Sequence, residues 1–205
     1  MKQYFITGIG TEIGKTVVAA ILTEALAADY WKPVQAGNLD YTDSDTVRSL
    51  ISNPETIFHP EAYRLQMPAS PHQAAAVENI SINPNQINIP LTDRNLIVEG
   101  AGGLMVPLNH EFLMIDLIVQ FKLPVILVSR HYLGSINHTL LSVEALRRRN
   151  IPLAGIIFNG APTPASEEYI LRFAGLPKWP NVLPETKLTA LTVQQYAARF
   201  KPYLV

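Results

Sequence analysis

Apolar residues fall along this chain in two alternating patterns. Short uninterrupted runs occur at 3–7, 30–34, 95–99, 124–129 and 153–159, with a shorter one at 181–183. Runs without polar alternation mark strands covered on both faces, as in a parallel sheet. Between them, apolar residues recur every three or four positions at 17–27, 43–52, 113–121, 136–149, 165–174 and 192–200, which predicts helices. Strands and helices in alternation predict an α/β fold: a doubly wound, mostly parallel sheet flanked by helices. A length of 205 residues suits a single domain spanning 1–205. Residues 71–93 break the rhythm, because Asn and Pro recur closely there, and read as a short helix or irregular crossover.

Ligands of such sheets bind beyond the carboxyl ends of the strands, so polar residues at those ends are the candidates. The first strand runs straight into Thr7-Gly8-Ile9-Gly10-Thr11-Glu12-Ile13-Gly14-Lys15-Thr16, and a helical pattern follows at once. Strand, glycine-rich turn, Gly-Lys-Thr and helix form the context of a phosphate-binding P-loop. Glycines let successive N–H groups face one concavity, and the helix N-terminus adds roughly half a positive charge there. Lys15 then reaches the β- and γ-phosphates, and the Thr16 hydroxyl can ligate Mg²⁺. The usual spacing places a glycine where this chain has Ile9, with Gly8 and Gly10 on either side. A tightly packed βα turn is the bland alternative, and the Gly-Lys-Thr context favours phosphate.

Other strand ends carry polar groups that a packed core does not need. Lys32 stands at the end of the second run, within Lys32-Pro33-Val34-Gln35-Ala36-Gly37, where an ammonium can stabilise phosphoryl charge or merely snorkel to solvent. Asp40-Tyr41-Thr42-Asp43-Ser44-Asp45 opens a helix, a place where Asp and Ser are ordinary caps. Glu99 ends a buried strand ahead of Gly100-Ala101-Gly102-Gly103. A buried carboxylate is expensive unless paired, and a strand-end acid is the usual second Mg²⁺ handle of P-loop proteins. Asn159 ends a later strand, where its amide suits an adenine edge or, more plainly, a turn. Ser70-Pro71-His72 and Leu133-Gly134-Ser135-Ile136-Asn137-His138 read as substrate or anion sites, the latter a helix start.

Composition narrows the classes. Lys and Arg number 16 against 17 Asp and Glu, so nothing resembles a nucleic-acid footprint, and the basic run 147–149 closes a helical pattern. There is no cysteine, which excludes disulfides, thiolate metal sites and cysteine nucleophiles. The five histidines lack zinc-type spacing. No apolar run reaches membrane-spanning length, and the chain opens on a strand rather than a signal peptide, so a soluble cytoplasmic protein without membrane or nucleic-acid partners is expected.

Taken in order, these segments resemble the dethiobiotin synthetase family. The resemblance rests on Thr7-Gly8 with Thr11 to Thr16, Lys32-Pro33-Val34 with Gly37, Asp45, Ser70-Pro71-His72, Val98 to Gly103, Leu123 to Val128, Leu133-Gly134 with Ile136-Asn137-His138, and Asn159. It implies an ATP-dependent cyclo-ligase joining 7,8-diaminononanoate and CO₂ into dethiobiotin, with ADP and phosphate released. The route it implies runs through a carbamate and a carbamic-phosphoric anhydride. It further implies Mg²⁺ on Thr16, Asp45 and Glu99, with Lys15 and Lys32 as catalytic cations. ATP would lie against Glu12, Ile13, Gly14, Lys15, Thr16 and Val17, with Asp45, Glu99, Gly100, Ala101 and Gly102 around it. Asn159, Gly160, Leu183, Pro184 and Glu185 would form the adenine side. Substrate would meet Gln35, Ala36, Ser70 and Pro71, and its carboxylate tail would meet Gly134, Ser135, Ile136, Asn137 and Tyr169 of a neighbouring subunit, implying a homodimer with shared sites. The family usually has a hydroxyl where Ala36 stands, and Gln35 is the available substitute. The rival class is a partitioning-type switch ATPase, which characteristically carries a second lysine at the position of Gly10.

Overall fold

The computed structural model describes residues 1–204. In chain order the elements are β1 (Gln3–Gly8), α1 (Lys15–Leu26), β2 (Asp29–Trp31), β3 (Val34–Ala36), α2 (Asp43–Leu50), β4 (Phe58–His59), β5 (Tyr63–Leu65) and α3 (Pro71–Val77). They continue with β6 (Leu96–Gly103), α4 (Met114–Phe121), β7 (Val125–Arg130), α5 (Ser135–Arg148), β8 (Leu153–Asn159), α6 (Pro164–Ala174) and α7 (Ala190–Phe200). Short 3-10 turns lie at Pro84–Gln86 and Lys201–Tyr203. The main sheet has 6 strands in the order β4-β2-β6-β1-β7-β8, and every pairing is parallel. The expected doubly wound α/β architecture is therefore the one observed.

Alternation along β1 explains the two layers. Tyr4 and Ile6 face a core built with α1, α2 and α7, whereas Phe5 faces a core built with α3 and α4. Both cores are made of side chains almost fully removed from water, so the central strands read as continuous apolar runs. Register then places the functional ends side by side. Ile6 pairs with Glu99, and Trp31 pairs with Val98, so Lys32 and the P-loop emerge level with Glu99.

Two expectations change. The run 30–34 is not one strand, because Pro33 lacks the N–H that a ladder needs. The chain leaves the main sheet after Trp31, and Val34–Ala36 pairs with β5 in a separate 2-stranded sheet. The run 181–183 forms only an isolated bridge between Asn159 and Val182. Segment 71–93 holds α3 and a 3-10 turn, as a short helix within an irregular crossover. The two-residue β4 and three-residue β5 are too short to show any periodicity. Among the described residues, no helix is long and apolar enough to cross a membrane.

Phe5 ties the sheet to α4. It is fully buried, its ring lies 6.3 Å from that of Phe121, and a Cβ on Gly100 would come within 2.8 Å of it. Phe5→Ala is expected to lower stability by about 3–5 kcal/mol without changing the denaturant slope, as read by urea unfolding. A loss below about 1 kcal/mol would show that the strand collapses around the gap and that this contact is not central.

Candidate active site

The loop joining β1 to α1 is shaped by two residues in the left-handed region, Glu12 (φ 54) and Gly14 (φ 92). Gly14 has no space for a side chain, since a Cβ would lie 2.0 Å from Asn159 Nδ2. That amide donates to the Ile13 carbonyl at 2.9 Å, so the end of β8 braces the loop from the side. No side chain caps the N-terminus of α1, and its dipole faces the cleft. Lys15, almost fully buried, folds back so that Nζ donates to the Gly10 carbonyl at 2.8 Å. Burial pulls its pKa down to about 8, with Glu99 opposing and the neighbouring Lys32 adding to the fall.

Beside the loop lies a network centred on Glu99, which is 1% exposed. Its Oε1 accepts from Thr16 Oγ1 at 2.9 Å and from Lys32 Nζ at 3.2 Å, while Oε2 accepts from the Tyr30 hydroxyl at 2.8 Å. Lys32 also pairs with Asp43, whose other oxygen lies 3.2 Å from Thr16 Oγ1. Burial alone would lower the Lys32 pKa, but the two carboxylates outweigh it and hold it above the ordinary lysine value. Removing one partner of such a pair costs about 3–5 kcal/mol, because it leaves a buried charge uncompensated.

The carboxylate that α2 brings to this network is Asp43, not Asp45. Asp45 Oδ2 accepts from the Thr42 backbone N–H and hydroxyl, and Oδ1 accepts from Arg48. The Thr42 contacts hold its pKa below the usual carboxylate range. Thr42 and Asp45 thus form a capping box, with Asp45 pointing away from Thr16. A threonine followed three residues later by an acid is a capping signal, and it is the sequence feature that could have marked Asp45 as a cap. Tyr30, by contrast, looks like any other strand tyrosine in the sequence.

A cleft of about 710 Å³ opens over the network, within the ordinary range for small-molecule sites. Its lining joins Glu12, Gly14, Lys15, Thr16 and Val17 to Lys32, Gln35, Ala36, Asp43, Ser70, Pro71, Glu99, Ala101 and Gly102. Gln35 donates from Nε2 to the Gly37 carbonyl at 2.9 Å, and its buried Oε1 has no partner. Ser70 Oγ lies 3.0 Å from His72 Nδ1. Gly100 packs beneath, on Phe5, and Ile13 is buried beside the loop. Gly134, Ser135, Ile136, Asn137 and Tyr169 are not part of this cleft. Gly160 donates to the Val182 carbonyl, the Leu183 N–H donates to the Tyr196 hydroxyl, and that hydroxyl donates to Glu185; these residues and Pro184 also lie outside the cleft.

Thr16 Oγ1, Glu99 Oε1 and Asp43 Oδ1 form a small set of hard oxygen donors on one side of the cleft. That set suits Mg²⁺, which commonly takes one or two carboxylates and completes its shell with water and substrate phosphates. Among the described residues no cluster of three or more His, Cys, Asp or Glu can hold a metal by itself.

Glycine loop, buried lysine pair and strand-end acid on a parallel sheet define a P-loop nucleotide-binding domain. A family model described as "AAA domain" matches residues 2–191. The backbone resembles that of a ParA family ATPase from Chlorobium tepidum, with a TM-score of 0.58 and 13% identity, covering 96% of this chain and 98% of that one. It also resembles the MinC:MinD cell division complex of Aquifex aeolicus, with a TM-score of 0.53 at 14% identity over 98% and 96% of the two chains. At such identities the likeness concerns fold alone. The sequence goes further: it is 54% identical to the ATP-dependent dethiobiotin synthetase BioD of Cytophaga hutchinsonii over 97% of both chains. It is 50% identical to the corresponding Christiangramia forsetii protein over 99% of this chain and 98% of that one. The chain belongs to the dethiobiotin synthetase family.

The depressed pKa of Lys15 sets a pH dependence. Only the ammonium form attracts phosphate, and bound phosphate favours that form, so nucleotide binding above pH 8 must take up a proton. In EDTA, ATP affinity is therefore expected to be level near pH 7 and to fall above 8, approaching tenfold per pH unit. Calorimetry at pH 7, 8 and 9, in buffers of different ionisation heat, measures both the affinity and the proton uptake. Affinity that is flat to pH 9 with no proton uptake would show that Lys15 stays charged without phosphate.

Proposed function

We propose that the protein is a dethiobiotin synthase, a single-domain cytoplasmic ligase that carboxylates and cyclises 7,8-diaminononanoate with CO₂ and ATP. The observation that carries this reading is the meeting of Lys15, Thr16, Lys32 and Glu99 around one cleft, in a chain 54% identical to a relative named for that activity. Phosphoryl transfer asks the protein mainly for position and charge compensation, and this arrangement supplies both.

In this mechanism the P-loop from Glu12 to Val17 receives the phosphates, and Lys15 exchanges its bond to the Gly10 carbonyl for the β- and γ-phosphates. Lys32, held at the cleft floor by Glu99 and Asp43, faces the transferring phosphoryl group and the carbamate oxygen that attacks it. A bound Mg²⁺ would supply positive charge to the nucleotide's phosphates. Thr16, Glu99 and Asp43 would hold it, and Asp45 could join only by leaving its cap on Thr42. Ser70 offers a hydrogen bond to the diamine, and Gln35 lines the cleft beside Ala36, where the family resemblance implies a hydroxyl. The second amine then closes the cyclic urea and phosphate leaves. Asn159 keeps Oδ1 available for an exocyclic base amine because Nδ2 is spent on Ile13, with Gly160, Leu183, Pro184 and Glu185 on that side.

The test is phosphate release from Mg²⁺ and ATP in bicarbonate buffer, with and without the diamine, while dethiobiotin is followed by mass spectrometry. Diamine-dependent phosphate release matched by product is expected, and Lys15→Ala should cut turnover by about 10²-fold or more with the fold retained. ATP hydrolysis indifferent to the diamine would point instead to a switch ATPase. Lys32→Ala is the poorer probe, since it strips a buried acid of its partner and should lower stability as well.

The same reading includes a homodimer with shared sites, in which Gly134, Ser135, Ile136, Asn137 and Tyr169 reach the partner's substrate. Leu133 is fully exposed, and Tyr132, Ile136 and Leu141 lie open around the same helix, an apolar surface that a second copy would cover. Sedimentation should give a dimer at working concentration, and Leu133→Asp should shift it toward a monomer with reduced activity. A fully active monomer would remove the shared-site assignment.

A further inference from the structure

One buried polar group at the site plays no part in the mechanism above. Tyr30 is the middle residue of β2, paired in register with Ile97 of β6. It is completely buried, with its ring tilted against Phe58 at a centroid distance of 5.7 Å and its body packed in the core beneath α1. A phenylalanine would meet every apolar demand of that place. The hydroxyl has one hydrogen-bond partner, Oε2 of Glu99, at 2.8 Å.

That contact divides the carboxylate. Oε2 is held from the core side by Tyr30, whereas Oε1 is left to the cleft side, where Thr16 and Lys32 meet it. A carboxylate with one free oxygen in an apolar wall can rotate or draw in water. One tied at the back by a rigid aromatic donor has a single orientation. Groups that hydrogen-bond a metal-binding carboxylate from behind fix the angle it presents, and their removal typically costs 10–100-fold in metal affinity or activity.

We propose that Tyr30 is a positioning residue that aims Oε1 of Glu99 at the magnesium of a bound nucleotide, without itself touching nucleotide or substrate. The inference rests on the magnesium-nucleotide reading of this cleft. Its mark is selectivity: Tyr30 should matter for the magnesium complex of the nucleotide and not for the bare nucleotide, which is gripped by the P-loop and Lys15. A tyrosine that served only to fill the core would affect both equally.

The experiment is calorimetric binding of ADP, once with excess Mg²⁺ and once in EDTA, to the native protein, Tyr30→Phe, Glu99→Gln and the double variant. Tyr30→Phe should weaken binding in Mg²⁺ about tenfold or more, and change it less than about twofold in EDTA. In the Glu99→Gln background the same substitution should have little further effect, because the carboxylate it orients is gone. Equal losses in Mg²⁺ and EDTA, no loss in either, or full additivity with Glu99→Gln would each overturn the positioning role. Should the native protein bind ADP identically with and without Mg²⁺, the fault would lie in the magnesium reading of the cleft itself. If Tyr30→Phe does not fold, the native protein carries the test. Adding Mg²⁺ to its ADP complex should shift a tyrosine C–O stretching band in infrared difference spectra, assigned with ring-deuterated tyrosine, and an unmoved band would overturn the proposal.

Discussion

The carboxylate of Glu99 is the constraint around which the rest of the site is arranged. A charge at 1% exposure is tolerable only when it is paired and hydrogen-bonded. The partners are Thr16 at the start of α1, Lys32 beyond β2 and Tyr30 within β2. Residues from three separate segments meet because β2, β6 and β1 are parallel neighbours whose ends lie level. Strand order and register therefore do for this site what a single binding loop does elsewhere. They bring together groups that are 83 residues apart for Thr16 and Glu99, and 67 for Lys32 and Glu99.

The same arrangement leaves the two lysines in different electrical states. Lys32 is locked between Glu99 and Asp43 and stays charged, whereas Lys15 has only a backbone carbonyl and is held near the edge of deprotonation. A phosphate entering the cleft would give Lys15 a charged partner in place of that carbonyl. Asn159 and Gly14 add rigidity from the other side, since the amide fills the space that any side chain at position 14 would need. The carboxyl end of β8 thus braces the loop from that side.

Besides the phosphate loop and the two lysines, the cleft is lined by Gln35, Ala36, Ser70 and Pro71. Beside Ala36, Gln35 has a buried carbonyl oxygen with no hydrogen-bond partner. An unpartnered buried acceptor of this kind costs stability. Ser70, set beside His72 at the head of α3, faces the same space from the crossover.

Local pattern determined a good deal. Uninterrupted apolar runs announced a parallel sheet, and the helices at 17–27 and 136–149 stand within a few residues of where periodicity put them, because burial on one or both faces is written in the order of residues. The P-loop was legible for the same reason: its chemistry is local, made by consecutive N–H groups and the lysine that follows them. Tertiary structure decided the rest. It broke the run 30–34 at Pro33 and sent β3 to a second sheet, since a missing N–H matters only once a neighbour needs it. It brought Asp43 within reach of Thr16 and Lys32, which depends on where α2 sits and not on the local cap that Asp45 makes. It also set the Tyr30 hydroxyl against Glu99, a contact that depends on which strands lie side by side and so is not contained in the order of residues along any one of them.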